Sequence, residues 1–231
     1  MSLANSLRKM GILLDQHWCR NVTNTDVLQS NIKTLGYSIR KKPLIFKNIN
    51  VGKHIRPNID LNKSELQVKL CSYLNLEKVS NRYTLKSLGL NINIEGKCLM
   101  KENKEEKDLM FSFHIDYEGN SKSEFYHPIS HLQIGSDAIK DSDTGSLLKV
   151  EQPRFSHYPM DVILAIDFII HNFYTNKQHK KFTSLPAYRN IVKESATKYI
   201  KPYIESIYSY WNNEIENKDF KPYDAICSLP K

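Results

Sequence analysis

Apolar and polar residues alternate most clearly between residues 109 and 134. In Leu109–Tyr117 the apolar side chains at 111, 113, 115 and 117 alternate with polar Ser112, His114 and Asp116. A period of two is typical of a strand with one buried face. A second run, Pro128–Ile134, follows a turn region around Gly119. We therefore predict that the two runs pair as an antiparallel hairpin.

Three further strands are predicted outside this hairpin. Pro43–Phe46 and Leu90–Ile94 have strand-like patterns, and Val150–Pro153 is a candidate edge strand. By contrast, Ser64–Leu74 has the pattern of a short amphipathic helix that begins with a serine cap.

Helical spacing dominates both ends of the chain. From Ser2 to about Leu35, apolar residues recur every three to four positions, with Thr25 and Asp26 as the predicted cap of a second helix. Met160 to about Tyr174 is the strongest helical segment, and its wide apolar face predicts packing across the sheet. After a predicted basic linker from Lys177 to Lys181, a helix is predicted from about Tyr188 to Trp211, kinked or divided at Pro202.

These elements predict an α+β fold. It contains a small antiparallel sheet, with the hairpin around 109–134, packed by helices and flanked by helical N- and C-terminal sections. The chain has 231 residues, of which 40% are hydrophobic, and this suits one domain spanning 1–231. Within it we distinguish a helical section at about 1–38, a mixed section at about 40–100, a motif-bearing core at about 101–175 and a helical section at about 176–231.

The net charge of +8 is unevenly distributed along the chain. Residues 1–50, 51–100 and 176–231 carry +6, +4 and +4, whereas residues 101–175 carry −6. An acidic segment favours a cation or an internal polar network over a phosphate group. Nucleic-acid contacts, if the protein makes them, are therefore expected on the basic N- and C-terminal sections.

The acidic core segment also holds a set of histidine, aspartate and arginine residues. The predicted hairpin would place His114, Asp116 and His131 on one face, with Arg154 near its edge; His127 and His157 are further candidates. Two imidazoles and a guanidinium can catalyse metal-free phosphodiester cleavage. Alternatively, His114, Asp116 and His131 could bind Zn, Mn or Fe. A third interpretation is structural: the side chains form hydrogen bonds with each other, and Asp116 forms an ion pair with Arg154.

Several functional classes lack their sequence signatures. There is no Walker loop, G-x-G-x-x-G, G-x-S-x-G or kinase motif, and the four cysteines form no C-x-x-C pair. No apolar run reaches the roughly 18 residues of a membrane span, and no secretory signal is recognisable. We expect a cytoplasmic protein without membrane association. We also expect no cofactor, with a divalent metal as the alternative.

An ordered set of motifs in this core resembles a bacterial family of domains of unknown function. The family pattern F-H-x-D-Y, H-P-x-x-H-L-x-x-G, R-x-P and F-I-x-x-F-Y matches segments that begin at Phe113, His127, Arg154 and Phe168. The third motif departs from the pattern because Ser156 replaces its proline. The resemblance implies a bacterial protein encoded among mobile-element or phage-defence genes, and it implies no particular activity. A fainter resemblance is to small toxin components of toxin–antitoxin modules, and it is carried by an H-x-D motif, a later histidine and a P-R pair.

These observations lead to three alternative functions. The first is an accessory or effector subunit of a bacterial defence system that acts through other proteins of the same operon, bound by its terminal helices. The second is a nuclease or toxin, metal-independent or metal-assisted, that uses the His/Asp/Arg site. The third is a ligand-sensing domain.

Overall fold

The computed structural model describes residues 2–30, 32–33, 36–50, 59–79, 82–118, 128, 130–135 and 154–214. The predicted α+β class is confirmed, because these residues form five helices and a nine-stranded antiparallel sheet. The strands are β1 (Val22–Thr23), β2 (Ile32–Lys33), β3 (Gly36–Ser38), β4 (Leu44–Phe46), β5 (Ile59–Val79), β6 (Arg82–Met100), β7 (Glu106–Glu118), β8 (Ser130–Ile134) and β9 (Arg154–Ser156). The helices are α1 (Leu3–His17), α2 (Val27–Ser30), α3 (Val162–Phe173), α4 (Asn176–Thr183) and α5 (Pro186–Glu214).

The sheet is larger than predicted and is centred on two long strands. Its main order is β1-β4-β5-β6-β7-β8-β9, and β3 also pairs with β5, beside β4. The predicted strands at 43–46 and 90–94 are confirmed as β4 and part of β6. The predicted hairpin is confirmed as the antiparallel pair β7 and β8. The predicted edge strand at 150–153 lies outside the described residues, and β9 begins at Arg154.

The predicted helix at Ser64–Leu74 is wrong, because this segment lies inside β5. Leu66, Leu70 and Leu74 suit a helix face, but with Val68 they also suit one face of a strand. β5 pairs with β4 and β3 on one side and with β6 along most of its length on the other. This extensive pairing satisfies the backbone and overrides the weak local helical preference.

The N-terminal section is only partly helical. Helix α1 is confirmed; the Ser2 side chain caps it by accepting a hydrogen bond from the Asn5 N–H at 3.3 Å. The second predicted helix is the single turn α2, and the other elements among the described residues of this section are β1, β2 and β3.

Helix α3 confirms the strongest helical prediction and packs on the apolar face of the sheet. It begins after Asp161, whose carboxylate accepts a hydrogen bond from the Leu164 N–H at 3.0 Å. The Tyr37 hydroxyl of β3 accepts a hydrogen bond from the Val162 N–H at 2.9 Å and is 3.0 Å from the Ser72 hydroxyl of β5. The helix is thereby attached to two strands, and the opposite face of the sheet remains for polar residues.

The C-terminal section contains two helices. The predicted linker at Lys177–Lys181 is wrong, because it lies in α4, which buries His179 and Phe182 and exposes its lysines. The predicted helix from Tyr188 is confirmed as α5, which continues through Pro202. Among the described residues, no helix combines the length and apolarity required to cross a membrane.

Candidate functional site

The candidate site lies on the polar face of the sheet, opposite α3. In β7 the side chains of Phe113, Ile115 and Tyr117 are buried in the core, so the alternating His114 and Asp116 occupy the other face. The orientation predicted for β7 is therefore confirmed. Asp116 pairs with His131 of β8, which places the three predicted metal-ligating residues side by side.

The geometry of these three side chains suits one metal ion. One ligand atom each from His114, Asp116 and His131 can be chosen so that all lie within 4.8 Å of one another. His114 Nε2 is 3.4 Å from Asp116 Oδ2. Ligand atoms at about 2.0–2.2 Å from a tetrahedral ion lie about 3.4 Å apart, so small side-chain rotations would complete the site. We call these residues the triad.

Backbone carbonyls orient both imidazoles of the triad. His114 Nδ1 is 3.0 Å from the Gly135 carbonyl oxygen, and His131 Nδ1 is 3.2 Å from the Pro128 carbonyl oxygen. Because a carbonyl oxygen can only accept, each Nδ1 must carry the proton. In the neutral imidazole the lone pair is then on Nε2, and this is the arrangement that metal-binding histidines commonly adopt.

Gly135 holds its carbonyl in place through an unusual backbone conformation. Its φ is +95°, a region that residues with a side chain rarely adopt. Its N–H donates to the Ser112 carbonyl at 2.6 Å, which continues the pairing of the hairpin by one residue. The glycine at the end of β8 therefore contributes to the orientation of His114.

Burial within the triad is graded. His131 is 2% exposed, whereas the side chains of His114 and Asp116 are 17% and 27% exposed. His131 would thus be the inner ligand, and the more accessible side of the site would be formed by His114 and Asp116. A metal bound here could keep one coordination position for water or substrate, as catalytic sites with three protein ligands do.

The other predicted site residues have different locations. Arg154 begins β9, and its backbone pairs with Gln133 beside His114. His157 follows β9; its Nδ1–H donates to the Tyr158 carbonyl at 2.8 Å, and its ring stacks on that of Tyr158 at 4.1 Å. Burial lowers the pKa of His157. These contacts suit packing rather than membership of the triad. His127 lies outside the described residues.

A tyrosine and a glycine beside Asp116 were not predicted from the sequence. Tyr73, Gly89, Asp116 and His131 form one cross-strand row. A Cβ added to Gly89 would lie 2.1 Å from Tyr73 Cε1 and 2.9 Å from Asp116 Oδ1. The tyrosine ring therefore occupies the space above Gly89 and reaches towards the carboxylate. The available signal was a glycine directly before the predicted strand at 90–94, because a glycine among strand residues often marks a close approach by another group.

Comparisons with protein-family models, curated proteins and solved structures found no match. The family resemblance therefore stays a prediction. The donor set of two imidazoles and one carboxylate is itself informative, because these groups bind divalent transition metals such as Zn, Mn and Fe.

Proposed function

We propose that the protein binds a divalent transition metal through His114, Asp116 and His131 and hydrolyses phosphodiester bonds as a metal-assisted nuclease. The observation that supports this most directly is the convergence of the three ligand atoms within 4.8 Å. The anchoring of both histidines through Nδ1 adds to it, since each ring presents the deprotonated nitrogen that a metal needs.

A bound metal would supply a Lewis acid and an activated water near neutral pH. The residues of this chain have distinct parts in that chemistry. His131 would hold the ion from the buried side, whereas His114 and Asp116 would hold it on the more exposed side. Asp116 is the most exposed of the three, so its second carboxylate oxygen would orient the attacking water. A new P–O bond would form as the P–O bond to the departing nucleotide breaks, and the departing oxygen would take a proton from solvent.

The charge distribution favours this combination of cation and anionic substrate. Residues 101–175 carry −6, which favours a divalent cation within that segment. The bound cation would make the local site positive, so a phosphate group could bind there although the segment itself is acidic. Residues 1–50 and 176–231 carry +6 and +4 and can attract a polyanion to the protein.

Cleavage assays on purified protein test the proposal. Single-stranded RNA and DNA are incubated with the wild type after loading with Zn²⁺, Mn²⁺ or Fe²⁺, with and without a chelator. We expect cleavage that the chelator abolishes and that His114→Ala and His131→Ala reduce by at least about 100-fold. His17→Ala is the matched control, because His17 is exposed at the end of α1.

Two outcomes would contradict the proposed function. Cleavage that persists in both triad variants would assign the activity to another site or to a contaminant. Metal binding at the triad without cleavage of either nucleic acid would contradict hydrolysis and favour the ligand-sensing alternative.

A second candidate function is that of an accessory subunit in a bacterial defence complex. It is favoured by exposed apolar side chains near the end of α5: Ile204, Tyr208 and Trp211 are 58%, 68% and 38% exposed. Aromatic side chains are enriched in protein interfaces. Co-expression with the neighbouring operon products should give a stable complex that Tyr208→Glu weakens and Lys201→Glu does not. Purification of the chain alone under these conditions would contradict this function.

A further inference from the structure

A second functional group lies on the same polar face as the triad, at Arg40 and Tyr73. The chain that follows β3 continues along β5, where the Ile39 N–H donates to the Ser72 carbonyl at 2.8 Å. Tyr37 and Ile39 are buried in the core, so Arg40 alternates onto the polar face. Its guanidinium carbon lies 3.7 Å from the centre of the Tyr73 ring.

The Tyr73 ring connects this group to the triad. It covers Gly89, and both the ring and Asp116 Oδ1 come within 3 Å of the position that a Cβ on residue 89 would take. The Arg40 guanidinium therefore lies one aromatic ring away from a predicted metal ligand. With β5 and β7 separated by two strand spacings, the distance from Tyr73 to Asp116 along the row is about 10 Å between Cα atoms.

The stacking of Arg40 prepares it to bind an anion. A guanidinium that lies on a ring face keeps its N–H donors in its own plane, where they can form a bidentate contact with phosphate. Arg40 is exposed, so a ligand can reach it without displacing core residues. The ring also restricts the side chain before binding, which reduces the entropy lost when the contact forms.

We propose that Arg40, supported by Tyr73, binds a neighbouring phosphate of a single-stranded nucleic acid whose scissile phosphate is at the triad. This inference rests on the proposed function and specifies its substrate. The Tyr73 ring lies between the two groups, so we assign them to two different phosphates of one strand. His114 and Asp116 are only 17% and 27% exposed, so a flexible single strand, which can adapt to partly buried ligands, suits the site better than a rigid duplex.

A binding experiment tests the subsite independently of cleavage. Fluorescence anisotropy measures binding of a labelled 12-nucleotide DNA strand in a chelator, so that no metal-dependent cleavage occurs. Arg40→Gln should weaken binding about tenfold, because it removes one charge-assisted contact. It should also lower the slope of log affinity against log salt by about 0.7, the value for one phosphate on a single strand.

Lys42→Gln is the matched control. It removes the same charge two residues away, but Lys42 Nζ already pairs with Asp26 at 2.7 Å. We expect its binding to remain within about twofold of the wild type. Arg40→Lys should give intermediate affinity, because it keeps the charge and loses the planar fork. Thermal melting of each variant verifies that it is folded.

Kinetics on two substrates distinguish failure of the subsite from failure of the proposed function. For the 12-nucleotide strand, Arg40→Gln should raise KM about tenfold and leave kcat unchanged. For bis(p-nitrophenyl) phosphate, which has one phosphate, the substitution should change neither KM nor kcat. The subsite is overturned if Arg40→Gln and Lys42→Gln weaken strand binding equally, if the wild type does not bind the strand, or if it prefers a duplex. Strand binding that depends on Arg40 without any cleavage would support the subsite and refute the hydrolytic function.

Discussion

The substitution Gly89→Ala tests the close approach of Tyr73 and Asp116. The added Cβ would lie 2.1 Å and 2.7 Å from Tyr73 Cε1 and Cζ, and 2.9 Å from Asp116 Oδ1. Non-bonded carbon atoms pack at about 3.5–4.0 Å. The ring must therefore move by more than about 1 Å to bring Tyr73 Cε1 from 2.1 Å to that separation from the new Cβ. The ring would move away from its position beneath Arg40 and beside Asp116.

Two opposing terms set the expected magnitude. Replacing glycine by alanine inside a strand is worth about 0.5–1 kcal/mol in favour of folding when space permits. Overpacking typically costs about 1–3 kcal/mol, and the lost stacking of Arg40 on Tyr73 costs about 0.5–1 kcal/mol at an exposed site. We expect Gly89→Ala to lower the free energy of unfolding by about 1–2 kcal/mol and to weaken Zn²⁺ binding by about tenfold.

Urea unfolding and Zn²⁺ titration calorimetry measure both quantities in a double-mutant cycle with Tyr73→Ala. Truncating the tyrosine removes the two closest contacts, so Gly89→Ala should cost at least about 1 kcal/mol less in the Tyr73→Ala background. The reasoning is refuted if Gly89→Ala leaves stability and Zn²⁺ affinity at wild-type values, or if its cost is the same with and without the tyrosine ring.

Three further predictions concern the anchoring of the site and the core. Gly135→Ala should weaken Zn²⁺ binding by about 10–100-fold in calorimetry, because φ of +95° is strained for alanine and the carbonyl orients His114; unchanged affinity would refute this role. Burial lowers the pKa of His157, so folding favours its neutral form; stability should fall as the pH drops below about 6.5, and His157→Gln should flatten that part of a urea-unfolding profile recorded in chelator. A profile that is equally steep in the variant would contradict this assignment. Tyr188→Phe should destabilise the protein by about 1–2 kcal/mol in urea unfolding, because it removes the buried hydroxyl that donates to Asp167 at 2.8 Å; a wild-type midpoint would show that this bond contributes little.

The hairpin and α3 could be predicted because one local pattern accounts for each of them. Along β7, every second side chain from Phe113 to Tyr117 is buried, so a period of two appears without interruption. Along α3, the apolar face is wide and a capping aspartate precedes it. Local sequence and tertiary packing agree in both elements, and the predictions hold to within a few residues.

The interpretation of β5 failed because a buried polar residue interrupts its alternation. Ser72 occupies a core-facing position between Leu70 and Leu74 and is 1% exposed. Its hydroxyl is 3.0 Å from the hydroxyl of Tyr37, which lies on another strand. That partner is 35 residues away in the sequence, so no local pattern indicates that a serine can be accommodated there.

The same error concealed the position of Tyr73 beside the candidate site. His114, Asp116 and His131 were found together because the period of β7 and the pairing of β7 with β8 bring them onto one face. Tyr73 was missed because Ser64–Leu74 was interpreted as a helix. Arg40 lies between the predicted N-terminal helical section and the predicted strand at 43–46, so no predicted element connected it to the site. Because β5 is a strand, Tyr73 pairs with Gly89 of β6, and Gly89 pairs in turn with Asp116 of β7. Tyr73 and Asp116 therefore lie in the same cross-strand row.

The most direct test of the central claim is a Zn²⁺ titration of the chelator-treated protein by calorimetry. The account predicts one ion per chain for the wild type, an affinity at least about 100-fold lower for His114→Ala, Asp116→Ala and His131→Ala, and wild-type affinity for His17→Ala. Binding of equal strength in the wild type and in all three triad variants, or no binding by the wild type, would contradict it.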